Sequence, residues 1–358
     1  MKIADQRTSG GAAAGAGLIL GRFRPRAVAL LSGAVAAAAA LAVAGCSAGG
    51  GSAAENVALS AASSNTAQLA AGQAGNYQVL TLNDDRDLTF NQLLGINNEG
   101  QIAGYFGSGN AGQPNKGYVL RPPFAQGDFG SENFPGSAQT QVTGLNDFGV
   151  TVGFFSTQNG ATPADDNNVG FWRANGRYHQ VSFPTMNNSS PAVNQLLGIN
   201  DTGTAVGFYN DKAGNAHGYA YNIATRRFKL VTVPGATSVT AAAINDDGTV
   251  AGFYTNAKGT VDGFIKFHSN RVITLAVPGA SMTQAFGLND NGEVVGAYTT
   301  GSGNSAVSHG FTWMNGTFET VNYPKASSTT INGVNDEGDI VGFYTDAKGN
   351  TDGFVGLP

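Results

Sequence analysis

An all-β fold, a six-bladed β-propeller of four-stranded blades, is what this sequence predicts, and three observations predict it. Glycine supplies 52 of the 358 residues while charged residues make up 12%, a balance that suits tight turns between buried strands and excludes coiled coils and helical bundles. One motif then recurs six times, with turn asparagines Asn97, Asn146, Asn200, Asn245, Asn289 and Asn335 separated by 49, 54, 45, 44 and 46 residues. A period in the forties without helical spacing marks β-blades. Finally, the ends of the repeat region are complementary. The last copy stops after a third strand at residues 353–358, and residues 77–82 read as an orphan fourth strand. A ring closed by the N-terminal strand completing the last blade removes both raw edges.

Each piece of the repeat has a physical reading. Asn-Asp-x-Gly, as in Asn245-Asp246-Asp247-Gly248, suits a type I turn closed by a left-handed Gly, with the Asn side chain bonding nearby backbone amides. Gly104, Gly153, Gly207, Gly252, Gly296 and Gly342 sit in mid-strand, where glycine marks close backbone approach, here expected from crowding of inner strands near the axis. Tyr118, Phe171, Tyr219, Phe264, Phe311 and Phe354 open the third strand and are expected to fill the space between blades. Alternating runs such as residues 228–233 and 271–275 supply the outer strand, ended by Pro135, Pro184, Pro234, Pro278 and Pro324, which an edge position tolerates.

These copies resemble the HAF family of bacterial extracellular repeats, named for a His-Ala-Phe step after the loop. The chain has His217-Gly218-Tyr219 and His309-Gly310-Phe311, with Gly in place of Ala, and Lys116, Val169, Asp262 and Asp352 at the remaining His positions. The resemblance covers the repeat region and implies an extracellular location and a repeat architecture, without an activity.

Three segments follow: a leader over residues 1–45, a lipidated Cys46 with an Ala/Gly/Ser-rich tether to residue 75, and the propeller over 76–358. Arg22, Arg24 and Arg26 precede an apolar stretch ending in Val43-Ala44-Gly45-Cys46, a basic, apolar and small-residue sequence typical of export signals. The last four residues resemble the lipobox of bacterial lipoproteins, which implies acylation of Cys46 and a membrane partner through that lipid. Ser47 follows the Cys, and by the same resemblance the outer membrane is the expected address. Cys46 is the single cysteine, so no disulfide is available. The leader holds five of the 19 basic and one of the 24 acidic residues, so the mature chain carries a net charge of −9. That charge excludes a nucleic-acid binder and favours a neutral glycan, or a protein with a basic patch, as partner.

The motifs of catalysis are missing. Four scattered His and no free Cys give no metal site and no cofactor, and no Gly-x-Ser-x-Gly elbow is present. His217 and His309 share one repeat position and read as loop-capping residues. The loop from Asp346 to Asp352 lacks the carboxylates calcium requires. The candidate binding rim is instead the variable loop at residues 156–169 with Asp165, Asp166, Asn167 and Asn168, joined by Asn187 and Asn188 and the loop at 107–116, because function concentrates where repeated scaffolds differ. The function expected is a non-enzymatic binding or scaffolding propeller in the cell envelope. The alternative is a glycan hydrolase or lyase whose carboxylates gather at the channel mouth.

Overall fold

The structure is a computed structural model that describes residues 71–161, 163–184 and 189–358. The leader, Cys46, the tether up to residue 70, Asn187 and Asn188 lie outside the described residues. The repeat folds as expected, into antiparallel blades around one axis. The first blade is β3 (Asn91–Ile96), β4 (Ile102–Phe106), β5 (Lys116–Leu120) and β6 (Phe129–Ser131), and the second is β7 (Gln139–Leu145), β8 (Thr151–Ser156), β9 (Val169–Ala174) and β10 (Arg177–Val181). The third holds β11 (Asn194–Ile199), β12 (Thr204–Asn210), β13 (Ala216–Asn222) and β14 (Arg227–Leu230). The fourth holds β15 (Ala236–Ile244), β16 (Val250–Asn256), β17 (Val261–Lys266) and β18 (Val272–Leu275), and the fifth β19 (Met282–Leu288), β20 (Val294–Thr300), β21 (Val307–Met314) and β22 (Thr317–Val321).

Closure is made by the N-terminal strand. The sixth blade supplies β23 (Ser328–Val334), β24 (Ile340–Thr345) and β25 (Thr351–Leu357), and β2 (Tyr77–Thr81) adds the fourth strand, pairing Gln78 with Leu357 and Thr81 with Phe354. The Thr81 hydroxyl lies 2.7 and 2.8 Å from the hydroxyls of Tyr323 and Tyr344, whose rings are stacked 3.7 Å apart. One boundary is corrected. Residues 71–74, expected in the tether, form β1 (Ala71–Ala74), which pairs with β2 through a tight turn at Gly75 and gives this blade a fifth strand. Alternation in so short and glycine-rich a stretch is too weak to read in sequence.

The six third-strand aromatics are all fully buried and join the clusters between neighbouring blades, as expected. The mid-strand glycines have a different cause from the one anticipated. A Cβ on Gly104, Gly153, Gly252, Gly296 or Gly342 would strike the ring of that blade's own third-strand aromatic and a carbonyl of its first strand. Close approach at the axis falls instead to Gly95, Gly144, Gly198, Gly287 and Gly333, where an added Cβ would meet the neighbouring blade's backbone at 2.7–3.1 Å. These follow a β-bulge that interrupts the register of every first strand at the same place. The extra residue of each bulge, among them Leu94, Leu197 and Phe286, lines the axis, so the bulge bends the strand and aims a side chain inward.

Candidate functional site: the axial ring and the loop rim

At the turn end of the axis, the six Asn-Asp-x-Gly hairpins meet. Within each hairpin, the Asn carbonyl accepts the Gly amide, as Asn245 does from Gly248 at 3.0 Å. The Asn Oδ1 accepts the amide four residues on, at 2.8–3.0 Å in all six copies. The turn role is therefore as expected. A second role was not: each Asn Nδ2 donates to the backbone carbonyl of the Asn in the next blade, Asn97 to Asn146 at 3.1 Å and so on round to Asn335, which returns to Asn97 at 3.4 Å. The following residues make a parallel ring. The backbone amide of Asn98 donates to Asp147, and the chain continues through Asp201, Asp246, Asp290 and Asp336 before the Asp336 amide returns to Asn98.

Five carboxylates thus surround the axis, with Asn98 in the sixth place. Asn98 donates through Nδ2 to both Asp147 and Asp336. Burial, reinforced by the neighbouring aspartates and opposed by the bonds from Asp147 and Asp246 amides, pushes the carboxyls of Asp201 and Asp290 up. The axial cavities here and at the neck measure about 80 and 70 Å³, far below the ~300 Å³ at which ligand sites begin. Among the described residues no group of three or more His, Cys, Asp or Glu is placed to hold a metal ion.

The opposite face carries the variable loops. Asp165 is exposed, whereas Asp166 is buried and accepts from the Gly160 amide and from Gln139 Nε2; burial pushes its carboxyl up. Gln139 in turn accepts the Asn115 amide at 3.0 Å, and Asn115 donates 2.6 Å to Gly107 O. The loops at 107–116 and 156–169 are therefore brought together, as expected. Asn167 accepts from Ser156 and from the Thr157 amide, and Asn168 accepts from Gln195 at 2.5 Å while its backbone bridges to Val193. Asp166, Asn167 and Asn168 thus hold their own loop in shape, leaving Asp165 as the member displayed to solvent. His217 pairs with Asp211 at 3.0 Å and stacks on Tyr209, and His309 meets Thr300 at 3.0 Å and stacks on Tyr298, the loop-capping role read from their shared position. Asp346 closes its loop by accepting the Lys348 and Asn350 amides, while Asp352 turns away to Asn83.

No protein-family model and no curated protein matches the chain. Among solved structures, it is similar to an ulvan lyase, a polysaccharide lyase, at 13% identity over 75% of this chain and 78% of that one, with a TM-score of 0.42. It is also similar to the Aleuria aurantia lectin in complex with a fucosylated ligand, at 11% identity over 75% and 91% of the two chains, with a TM-score of 0.44. The β-propeller domain of the Trilobed protease from Pyrococcus furiosus gives 10% identity, coverage of 74% and 95%, and a TM-score of 0.40. The architecture of this chain rests on its own sheet topology, and likeness at this level carries no function across.

Proposed function

We propose that this chain is a lipid-anchored envelope propeller of the HAF type that binds or scaffolds a protein or glycan partner without catalysing a reaction. The observation that carries the reading is the fate of the axial carboxylates. An enzyme at this mouth needs carboxyls free to exchange protons with a substrate, and here Asp147, Asp201, Asp246, Asp290 and Asp336 each accept a backbone amide from the preceding blade. Their cavity has no room for a sugar ring. Anchoring rests on Cys46 and the lipobox-like residues before it, and Cys46→Ala is expected to abolish incorporation of labelled palmitate.

The test is incubation of the full mature chain with envelope polysaccharides, followed by affinity electrophoresis and product analysis. Retardation by at least one polysaccharide, or capture of a defined envelope protein, with no new reducing ends and no unsaturated uronate absorbance, is the expected result. Release of either product overturns the non-catalytic reading.

A further inference from the structure

The junction between the third and fourth blades differs from the others. The residue after each third-strand aromatic faces the next blade, and it is Val119, Trp172, Ala220, Ile265, Thr312 or Val355. Large members fill their junction: Trp172 packs against the third blade's cluster and Ile265 against the fifth's. Ala220 is the smallest, and beside it a groove of about 330 Å³ opens towards the turn face.

The groove has a chemical polarity. Its outer end holds Lys229, which pairs in register with Ala220, and Lys266, whose ammonium crosses the junction to donate to Thr232 O at 3.1 Å. An ammonium has three donors, so Lys266 is oriented by that bond with capacity left over. The floor is apolar, from Val231 and Val250, and the inner end carries the exposed carboxylates of Asp246 and Asp247. Blades three and four, residues 194–275, hold seven of the mature chain's 14 basic residues against five of its 23 acidic ones; the remainder holds seven against 18. A net charge of −9 therefore hides a sector with a basic excess.

We propose that this groove binds an acidic saccharide, a uronate-type sugar whose carboxylate meets Lys229 and Lys266 and whose hydroxyls donate to Asp246 and Asp247. Two ammonium groups at one end select an anion. Two carboxylates at the other accept from hydroxyls, which a saccharide supplies and a bare phosphate does not. The apolar floor suits the C–H face of a pyranose, and the volume lies at the lower end of the ~300–1,000 Å³ of ligand sites. The assignment deepens the binding reading above and rests on it.

The experiment titrates the full mature chain with an oligogalacturonate, with its methyl ester and with polyglutamate. The free acid is expected to bind, and esterification is expected to weaken it about tenfold or more, the loss of one good ionic contact. Lys229→Gln with Lys266→Gln should lose the same factor, while Lys212→Gln with Lys348→Gln, equal in charge but away from the groove, should stay within about twofold. Near-UV circular dichroism confirms that both variants keep the native packing. No binding of the acid, equal binding of acid and ester, or equal losses in the two variants overturns the proposal. Tighter binding of polyglutamate overturns it in favour of an acidic protein segment. Cleavage of a saccharide that still depends on both lysines supports the groove and overturns only the non-catalytic reading.

Discussion

The first and the fourth strands of the blades obey different rules. Around the axis, every first strand carries the same bulge and the same turn Asn, and five of six carry the same close-contact glycine, with Ala243 in the sixth place. At the rim, β10, β14, β18 and β22 leave most of their residues exposed or only half-buried and share little beyond alternation. An inner strand touches two copies of itself, so a side chain that fits one junction must fit the next. An outer strand faces solvent on its free edge and one neighbour on its face, which leaves its composition free to vary, as in Arg177–Val181 against Arg227–Leu230. The lesson is that repetition here records contact between copies, and variation records its absence.

The largest expected effect comes from breaking the ring. Deleting residues 71–82 removes a strand with Val79 and Leu82 fully buried and its ladder to β25, several bonds at ~0.5–1.5 kcal/mol each plus ~1.5–3 kcal/mol per buried side chain. That is a large part of a typical 5–15 kcal/mol, so the truncated chain should aggregate or melt far earlier. An unchanged melting curve contradicts closure.

Next in size is a test of inner against outer. Asn200→Ala loses the donor to Asn245 O and the acceptor of the Thr204 amide, both at 2.9 Å, and should cost about 1–3 kcal/mol in urea denaturation because it leaves buried groups unpaired. Lys229→Ala on the rim should stay within ~0.5 kcal/mol. Comparable losses at the two sites would erase the distinction drawn above.

Acidity offers a subtler handle on the axial ring. A carboxyl raised in the folded state makes a contribution to stability that is full below its unfolded range, near ~4, and is lost as pH rises through the raised value. Burial raises Asp201 and Asp290 in this way, so melting temperature should climb on acidification from neutral pH towards the unfolded range near ~4. Asp211 opposes the trend: burial would raise it, but the bonds from His217 and Asn215 hold it below the usual range. Asp201→Asn with Asp290→Asn keeps an acceptor for each amide and should flatten the climb. A melting temperature that falls on acidification, or an equal slope in the variant, refutes this account.

The smallest effect belongs to the loop face. Shortening the loop by removing residues 158–165 should change stability by tenths of a kcal/mol, since closure entropy varies slowly with loop length. Calorimetry of the shortened chain checks this, and a drop comparable to that of Asn200→Ala would place the loop with the scaffold.

The blades, the closing strand and the inter-blade aromatics were legible because each leaves a signal inside one repeat: an Asn-Asp-x-Gly turn, an unpaired strand, an aromatic after Gly. What escaped needs two repeats in register. Asn97 reads as a turn former, but its bond to Asn146 O joins residues 49 apart and exists only once the ring is built. Gly104 and Gly95 look alike in sequence, yet one makes way for Tyr118 and the other for Gly144. Asp166 and Asn167 looked like a displayed rim because they are polar and lie in a long loop, whereas Gln139 and Ser156, which they bond, lie in β7 and β8. The groove was invisible for the same reason: Ala220 is unremarkable until set beside Trp172 and Ile265.

Closure by the first strand also sets a timetable. The Gly353 amide donates to Asn83 Oδ1 across 270 residues, and β2 can find β25 only after all the intervening blades have been synthesised. Contacts at such separations slow folding, and until the last residues emerge, the growing chain exposes an unpaired edge at each end. Once the seam forms, the same feature acts as a latch, because opening the ring requires the strand ladder and the Thr81–Tyr323–Tyr344 contacts to part together. The seam thus ties the last step of folding to the last residues made, and ties opening of the ring to the loss of those contacts as a unit.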